Sequence, residues 1–167
     1  MSLLYPSEWV STAYRIDYED MYDKGYRGII FDIDNTLVFH GAPATDEAVE
    51  LFERLRSIGF ETCLISNNKA ERVEPFAKLV RSRYISKAGK PATKSYIKAM
   101  KRMGTGMKDT FFVGDQLFTD VCGANLTGIY SVLVKPLNPK EEIQIVLKRY
   151  LEKIVLYFYK KKGGRCK

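Results

Sequence analysis

Apolar runs of strand length alternate with segments of helical periodicity along most of this chain. The runs predict five strands, at Gly28–Ile33, Phe60–Ser66, Tyr84–Ser86, Thr110–Val113 and Tyr130–Val134. The intervening and following segments predict five helices, at Asp46–Ile58, Ala70–Leu79, Thr93–Met103, Phe118–Leu126 and Pro139–Tyr159. Strands that alternate with helices favour an α/β fold, a Rossmann-like parallel sheet with helices on both faces.

The length and composition are those of one folded domain. The chain has 167 residues, of which 46% are hydrophobic and 28% charged, which suits a buried core and argues against global disorder. We expect a single domain over residues 1–167, in which residues 139–167 form a C-terminal amphipathic helix and a basic tail. The 27 Lys+Arg against 20 Asp+Glu give a net charge of +7. Charge of this sign suits anionic partners without selecting nucleic acid, membrane surfaces or phosphorylated metabolites.

Cysteine usage and apolar runs indicate the compartment. Cys63, Cys122 and Cys166 are odd in number and widely spaced, unlike a disulfide framework, and with the single His40 they form no zinc motif. We therefore expect a reducing, cytoplasmic location. The N-terminus lacks a signal-peptide pattern. The longest apolar run near the C-terminus, Ile154–Tyr159, is far short of the ~20 residues of a membrane span.

Two carboxylates close the first predicted strand. Asp32 and Asp34 lie two positions apart, and alternate residues of a strand face the same way. Like charges about 4 Å apart repel by roughly 4 kcal/mol at an effective dielectric of about 20, so a cation or a reacting group between them would explain the pair. A capped turn accounts for Asn35 and Thr36 but not for a carboxylate that ends an apolar run.

Two further polar elements follow later strands. Ser66, with Asn67 beside it, follows the second strand; a helix N-cap is its simplest interpretation, although a hydroxyl and backbone N–H groups at a helix start also suit phosphate. Lys90 precedes a helix, and Lys87 competes with it for any role. A lysine in a basic chain is usually solvated, so neither element predicts a site by itself.

A second acidic pair strengthens the interpretation of the first. Asp115 ends an apolar strand, and Asp120 lies five positions later in the next predicted helix. Helix capping and the helix dipole would explain each residue separately, but not why two strands both end in acids. The carboxyl ends of parallel strands meet at one edge of a sheet. Asp32, Asp34, Asp115 and Asp120 together predict a site for a hard cation, most simply Mg²⁺.

These elements, in this order, resemble the haloacid dehalogenase (HAD) superfamily of phosphotransferases over about Tyr26–Val134. The resemblance implies a phosphomonoester hydrolase in which Asp32 is the nucleophile that forms an aspartyl-phosphate. Asp34 would be the general acid and base. The residues implied to bind the phosphoryl group are Ser66, Asn67 and Lys90. Those implied to hold Mg²⁺ are Asp32, Asp34 through its backbone carbonyl, Asp115 and, directly or indirectly, Asp120.

Two features of the sequence bear on the substrate: the short segments between the motifs and the residues around the first motif. HAD enzymes of small metabolites usually carry a cap domain, for which Asn35–Ile65 and Asn67–Gly89 leave no room, so we expect an open cleft suited to a large or surface-bound substrate. The opening Leu4–Ser7 and the run Asp32–Thr36 resemble the YqeG-type class III-A HAD phosphatases, which are similar to mitochondrial phosphatidylglycerophosphate phosphatases. A lipid phosphomonoester is the substrate that this resemblance implies.

The C-terminus leaves two interpretations open. An apolar stripe along the last predicted helix, from Ile143 to Phe158, favours packing on the sheet over docking on a membrane. The tail Lys160–Lys167 is expected to be mobile and would suit an anionic membrane surface, at about 1 kcal/mol per basic residue.

Two rival functions remain as alternatives. A phospho-acceptor signalling domain shares the residue types, but its lysine comes last, whereas here Asp115 follows Lys90. A phosphatase of nucleic-acid ends, nucleotides or phosphoproteins fits the charge. Because no basic patch interleaved with aromatics occurs on the predicted strands, we expect no nucleic-acid partner. The sequence does not predict an oligomeric state.

Overall fold

The structure is a computed structural model that describes residues 3–138 and 143–167, with side chains from Leu147 onward in the second segment. Its strands are β1 (Glu8–Val10), β2 (Gly28–Phe31), β3 (Glu61–Ile65), β4 (Arg83–Ile85), β5 (Thr110–Gly114) and β6 (Tyr130–Val134). Its helices are α1 (Tyr18–Asp23), α2 (Asp46–Ile58), α3 (Ala70–Val80), α4 (Lys94–Met103), α5 (Cys122–Thr127) and α6 (Ile143–Lys161). All six strands are parallel and form one sheet in the order β1-β6-β5-β2-β3-β4.

The predicted α/β architecture is confirmed, and the differences lie at the ends of elements. The five predicted strands are present within two residues at each end. The sequence pattern missed β1 and α1, which are three and six residues long. The helix predicted at Phe118–Leu126 begins as a π-helical turn, Leu117–Val121, before α5. The first four residues of the helix predicted at Pro139–Tyr159 lie outside the described residues.

The sheet is buried on both faces, as its continuous apolar strands require. Alternate residues of β2 face opposite sides: Ile29 and Phe31 pack with α1, α2 and α3, whereas Ile30 packs with α4 and α5. Helix α2 shows how the sequence sets these contacts. The Thr45 side chain caps its start by accepting from Ala48 N, and Gly59 ends it with a φ of 114°.

The strand order places a cleft at the middle of the sheet. From β2 the chain proceeds outward through β3 and β4, whereas β5, β6 and β1 lie on the other side of β2. Ligands of such sheets bind beyond the carboxyl ends of the strands where the order reverses. The segments on either side of β3 contain only α2 and then α3 with β4, so the predicted absence of a sizeable cap is confirmed in these fully described segments.

Helix α6 packs on the sheet, but by a different face from the one that we expected. Its residues Val155, Leu156 and Tyr159 contact an apolar cluster around Trp9 and Leu133. The predicted stripe mostly points away, and its exposed members are Leu147, Tyr150, Leu151, Ile154 and Phe158. In the described part of the chain, none of the helices combines the length and apolarity needed to cross a membrane.

The basic tail is attached to the sheet, which corrects the expectation that it is mobile. Lys167 N donates to Trp9 O (2.8 Å), and Ser11 N donates to Lys167 O (2.9 Å). The Lys167 ammonium also pairs with Glu8 Oε1 at 2.9 Å. The chain end therefore extends the sheet beside its edge strand β1, where unpaired backbone groups are available.

Candidate active site

The predicted acids and Ser66 lie together at the carboxyl edge of the three central strands. Asp32 directly follows β2, Ser66 follows β3 and Asp115 follows β5. Asp32 N donates to Val113 O at 2.9 Å, which continues the ladder between β2 and β5. The central strands thereby fix the backbone of Asp32 against the strand that carries Asp115.

Three buried carboxylates converge at this edge. Oxygen atoms of Asp32, Asp115 and Asp120 all lie within 4.8 Å of one another, and the three residues are 7%, 2% and 0% exposed. The Thr36 hydroxyl lies 3.2 Å from Asp32 Oδ2 and 3.3 Å from Asp115 Oδ1. In the described part of the chain this is the one cluster of three or more His, Cys, Asp or Glu side chains with metal-binding spacing.

Asp120 is fixed by the turn that follows β5. Its Oδ2 accepts from Asp115 N and Gln116 N, each at 3.1 Å. The alternative role that the sequence offered for Asp115 was helix capping. In the structure the Asp120 side chain, and not that of Asp115, accepts from the backbone N–H groups of this turn. Gly114 permits the close approach, because a Cβ at this position would lie 2.5 Å from Asp120 Oδ2. The spacing of Gly114, Asp115 and Asp120 is therefore set by packing as well as by chemistry.

Lys90 reaches into the acid cluster. Its Nζ lies 2.5 Å from Asp32 Oδ1 and 2.7 Å from Asp120 Oδ1, and the residue is 8% exposed. Lys87, the competing lysine, is exposed. Burial alone would lower the pKa of Lys90, but Asp120 and Asp32 outweigh it and raise that pKa above its ordinary value. Lys90 is therefore a permanent cation in the site.

Asn67 holds the backbone of Lys90 from both sides. Its Oδ1 accepts from Lys90 N (2.8 Å), and its Nδ2 donates to Lys90 O (3.4 Å). Ser66 is buried, and its Oγ accepts from Asn68 N at 3.1 Å within the loop. The N-cap interpretation of Ser66 is wrong, because α3 begins later and its N-cap is Lys69.

Asp34 lies in the same cleft but its carboxylate is outside the group of three. Its Oδ1 accepts from Arg72 Nη2 and Gly41 N, and its Oδ2 accepts from Asn68 Nδ2, all at 2.8 Å. The sequence did not point to Arg72 as a partner. The residue pattern predicted that four carboxylates share one cation site, and the Asp34 carboxylate does not join the other three. The role that the family resemblance implies for its backbone carbonyl stays a prediction.

An open cleft joins the predicted catalytic and phosphate-binding residues. It has a volume of about 210 Å³. The five predicted residues among those that line it are Asp32, Asp34, Ser66, Asn67 and Lys90. His40, which carried no role in the sequence, also lines this cleft.

The sequence missed Arg149 and its partner Glu152, which α6 brings to the acid cluster. The Arg149 guanidinium pairs with Asp115 Oδ2, donates to Asp115 O at 2.7 Å and pairs with Glu152 Oε2 at 2.9 Å. Glu152 is 5% exposed and accepts from Leu117 N at 2.7 Å. Their three-residue spacing on a helix was the only available signal, and it is common on solvated helices.

The electrostatics of the cluster fit a divalent cation. Desolvation raises the pKa of Asp32 to about 6, against the opposing effect of Lys90. Desolvation and the charge of Asp32 raise the pKa of Asp115 well above its ordinary value despite Arg149. Four buried carboxylates, with Glu152 the fourth, face two cations. The deficit of two positive charges and the oxygen donors suit Mg²⁺, which prefers such ligands.

Comparisons with known proteins agree with this geometry. The sequence profile of the haloacid dehalogenase-like hydrolases matches residues 38–125. "Probable phosphatase YqeG" of Bacillus subtilis (strain 168) is 35% identical over 159 residues, which cover 95% of this chain and 92% of that protein. "Phosphatidylglycerophosphate phosphatase 1, chloroplastic/mitochondrial" of Arabidopsis thaliana is 30% identical over 89% of this chain and 46% of its own length. A solved structure from Legionella pneumophila, assigned to HAD subfamily III A, has a TM-score of 0.56 at 14% identity and covers 72% of each chain.

Proposed function

The chain belongs to the haloacid dehalogenase-like hydrolases and is a phosphatase of that family, and we propose that it hydrolyses phosphomonoesters with Mg²⁺ through an aspartyl-phosphate on Asp32. The observation that carries this proposal is the convergence of Asp32, Asp115 and Asp120, two of which, Asp32 and Asp120, also bind the Lys90 ammonium. We further propose that residues 1–167 act as one phosphatase domain.

The chain's own residues divide the reaction into two displacements. An Asp32 oxygen attacks phosphorus, the bond from phosphorus to the ester oxygen breaks, and Asp34 gives its proton to the leaving oxygen. Asp34 then takes a proton from water, whose oxygen attacks the phosphorus of the aspartyl-phosphate. The bond from phosphorus to the Asp32 oxygen breaks, which releases inorganic phosphate and restores the Asp32 carboxylate. Lys90, with Ser66 and Asn67 beside it in the cleft, would stabilise the charge on the phosphoryl oxygens.

The cation completes the charge balance of this site. Asp32, Asp115 and the Asp34 backbone carbonyl would hold it, with Asp120 as a direct or indirect ligand. When bound, Mg²⁺ supplies charge neutralisation at the transferring phosphoryl group. Asp34 lines the cleft beside these residues, which suits an acid and base that acts on the leaving group.

We infer that the substrate is a lipid phosphomonoester of the phosphatidylglycerophosphate type. The uncapped cleft leaves room for a substrate that stays embedded in a surface, and the Arabidopsis relative carries that substrate in its name. The net charge of +7 and the three free cysteines suit a cytoplasmic protein that works at the inner face of an anionic membrane.

The direct test is trapping of the intermediate together with a Mg²⁺ titration. We expect hydrolysis of p-nitrophenyl phosphate to disappear in chelator, to return with Mg²⁺, and to fall by about 10³-fold or more in Asp32→Asn. Acid quenching of the wild type with a ³²P-labelled substrate should leave a hydroxylamine-sensitive label on Asp32. The exposed Asp23, at the end of α1, offers the matched control Asp23→Asn.

Two outcomes would overturn the proposal, and a third decides the substrate. Turnover that persists in chelator excludes the cation, and label that persists in Asp32→Asn excludes this nucleophile. With activity established, phosphatidylglycerophosphate in vesicles is compared with nucleotide, sugar-phosphate and phosphopeptide substrates at equal concentration. A preference of tenfold or more for a nucleotide or phosphopeptide would replace the lipid assignment.

A further inference from the structure

Helix α6 carries an apolar face that no part of the described chain covers. Leu147, Leu151, Ile154 and Phe158 follow one another at spacings of four, three and four residues, which places them on one line along a helix. They are 66%, 48%, 47% and 52% exposed. Tyr150 extends the same face and is 65% exposed. Solvent-facing apolar residues grouped in this way mark an interaction surface.

The side of α6 that packs on the sheet explains why this face is left outside. Glu152 is buried and bound to Leu117 N, and Arg149 reaches Asp115. Val155 and Leu156 lie on the same side and pack on the cluster around Trp9. The polar contacts fix the rotation of the helix, so the apolar stripe stays on the opposite side.

The charge around the stripe selects its partner. Lys148, Lys153, Lys160 and Lys161 are all exposed, whereas Glu152, the single acid between residues 147 and 167, is buried. A second copy of this helix would bring lysines against lysines, which disfavours self-association. Apolar residues bordered by lysines are the pattern of a helix that lies in the interface of an anionic bilayer.

We propose that the α6 face, defined as Leu147, Tyr150, Leu151, Ile154 and Phe158, docks on an anionic phospholipid bilayer. The adjoining turn of the helix carries Arg149, which touches Asp115 in the acid cluster. Docking by this face places the cluster one helix diameter, roughly 10 Å, from the lipid surface, because Arg149 meets the cluster from the opposite side of α6. Its role in substrate delivery rests on the proposed function, whereas vesicle binding is measured without turnover.

The experiment compares substitutions of equal chemistry on and off this face. Vesicles of phosphatidylglycerol and phosphatidylcholine (1:1) are sedimented with wild type, Leu151→Glu and Ile154→Glu. Leu79→Glu is the matched control, because Leu79 on α3 is 55% exposed. We expect each α6 variant to bind these vesicles at least tenfold more weakly than wild type, and the control to bind like wild type. Vesicles of pure phosphatidylcholine should bind neither the wild type nor any variant. The α6 variants should keep their kcat/KM on p-nitrophenyl phosphate, which shows that they fold.

Contrary outcomes identify other occupants. Equal vesicle binding by Ile154→Glu and wild type overturns the proposal, as does an absence of wild-type binding to anionic vesicles. A wild-type dimer in sedimentation velocity that Ile154→Glu dissolves assigns the face to a second copy and also overturns it. Absence of Mg²⁺-dependent turnover in the wild type, with vesicle binding that the wild type shows and the α6 variants lose, would count against the proposed function and not against docking.

Discussion

At the scale of single residues, the acid cluster is arranged for chemistry at the expense of stability. Asp32 is buried, and desolvation raises its pKa from 3.8 to about 6 even with the Lys90 ammonium 2.5 Å away. Such a shift means that the fold disfavours the ionised carboxylate, which is the form needed for nucleophilic attack. Buried carboxylates of this kind are retained for function.

The cost of burying the ionised Asp32 carboxylate predicts that Asp32→Asn increases stability while it decreases activity. The unfolded carboxyl loses its proton near pH 4, whereas the folded one keeps it to about pH 6, so the fold binds more protons in this range. The contribution of Asp32 to the free energy of unfolding therefore falls as pH rises from about 4 to about 6. In chelator above pH 6, Asp32→Asn should be more stable by an amount on the order of 3 kcal/mol. Urea unfolding at pH 4 and pH 7 measures it.

The control for this prediction is the exposed Asp23→Asn, which should change stability little at either pH. Saturating Mg²⁺ should shrink or reverse the advantage of Asp32→Asn, because the cation binds the ionised wild-type carboxylate. An Asp32→Asn variant that is less stable than wild type in chelator at pH 7 would show that the pair with Lys90 outweighs desolvation.

Sequence reasoning located the acids but not their supports. Asp32, Asp115 and Asp120 each break an apolar pattern or follow a glycine at fixed spacing, so their positions can be predicted. Arg72 and Arg149 lie on helices where a basic residue is ordinary, and their partners are 38 and 34 residues away in sequence. Contacts over such distances depend on how helices are rotated, which a local pattern does not specify.

At the scale of elements, α6 shows why hydrophobic periodicity alone misjudged a buried face. The largest apolar residues of the helix predict that the stripe packs inward. A different side is buried because Arg149 and Glu152 find partners at the end of β5 and in the turn after it. The hydrogen bonds and ion pairs of Arg149 and Glu152 at the end of β5 outweigh the free energy that burial of the apolar stripe would add.

We predict that Arg149 stabilises the fold by compensating Asp115. Arg149→Met leaves that buried carboxylate without its cation, and removal of one partner of a buried pair typically costs about 3–5 kcal/mol. The variant should therefore unfold at a lower temperature in chelator. Added Mg²⁺ should raise its Tm by more than it raises that of wild type, because the uncompensated carboxylates gain more from a cation. Thermal unfolding with and without Mg²⁺ measures both effects.

Arg149→Lys is the matched variant for this prediction. It keeps the positive charge but not the forked guanidinium that meets both the side chain and the backbone of Asp115. Its Tm should lie between those of wild type and Arg149→Met. If Arg149→Met unfolds at the wild-type temperature, the contact is a surface pair without energetic weight.

At the scale of the whole molecule, five strands of the sheet could be predicted, including the edge strand β4, but the opposite edge strand β1 could not. The central strands are long apolar runs, and a parallel arrangement follows from their alternation with helices. The edge strand β1 has three residues and pairs with β6, more than 120 residues away. The pairing of Lys167 with Trp9 depends on where α6 ends, so the tail could not be placed from composition.

The uncapped cleft predicts weak discrimination among soluble substrates and strong dependence on a surface. Without a cap, few side chains can contact the leaving group, so kcat/KM for p-nitrophenyl phosphate, a hexose phosphate and a nucleoside monophosphate should agree within about tenfold. A lipid phosphomonoester in anionic vesicles should show a lower apparent KM at a similar kcat, because docking raises its local concentration. Raising NaCl from about 0.1 to about 0.5 M screens the attraction between the protein and anionic lipid. The KM for the lipid substrate should therefore increase, while the KM values for the soluble substrates stay nearly unchanged. A single soluble metabolite preferred by about 10³-fold or more would mean that another surface, such as a second copy, closes the cleft.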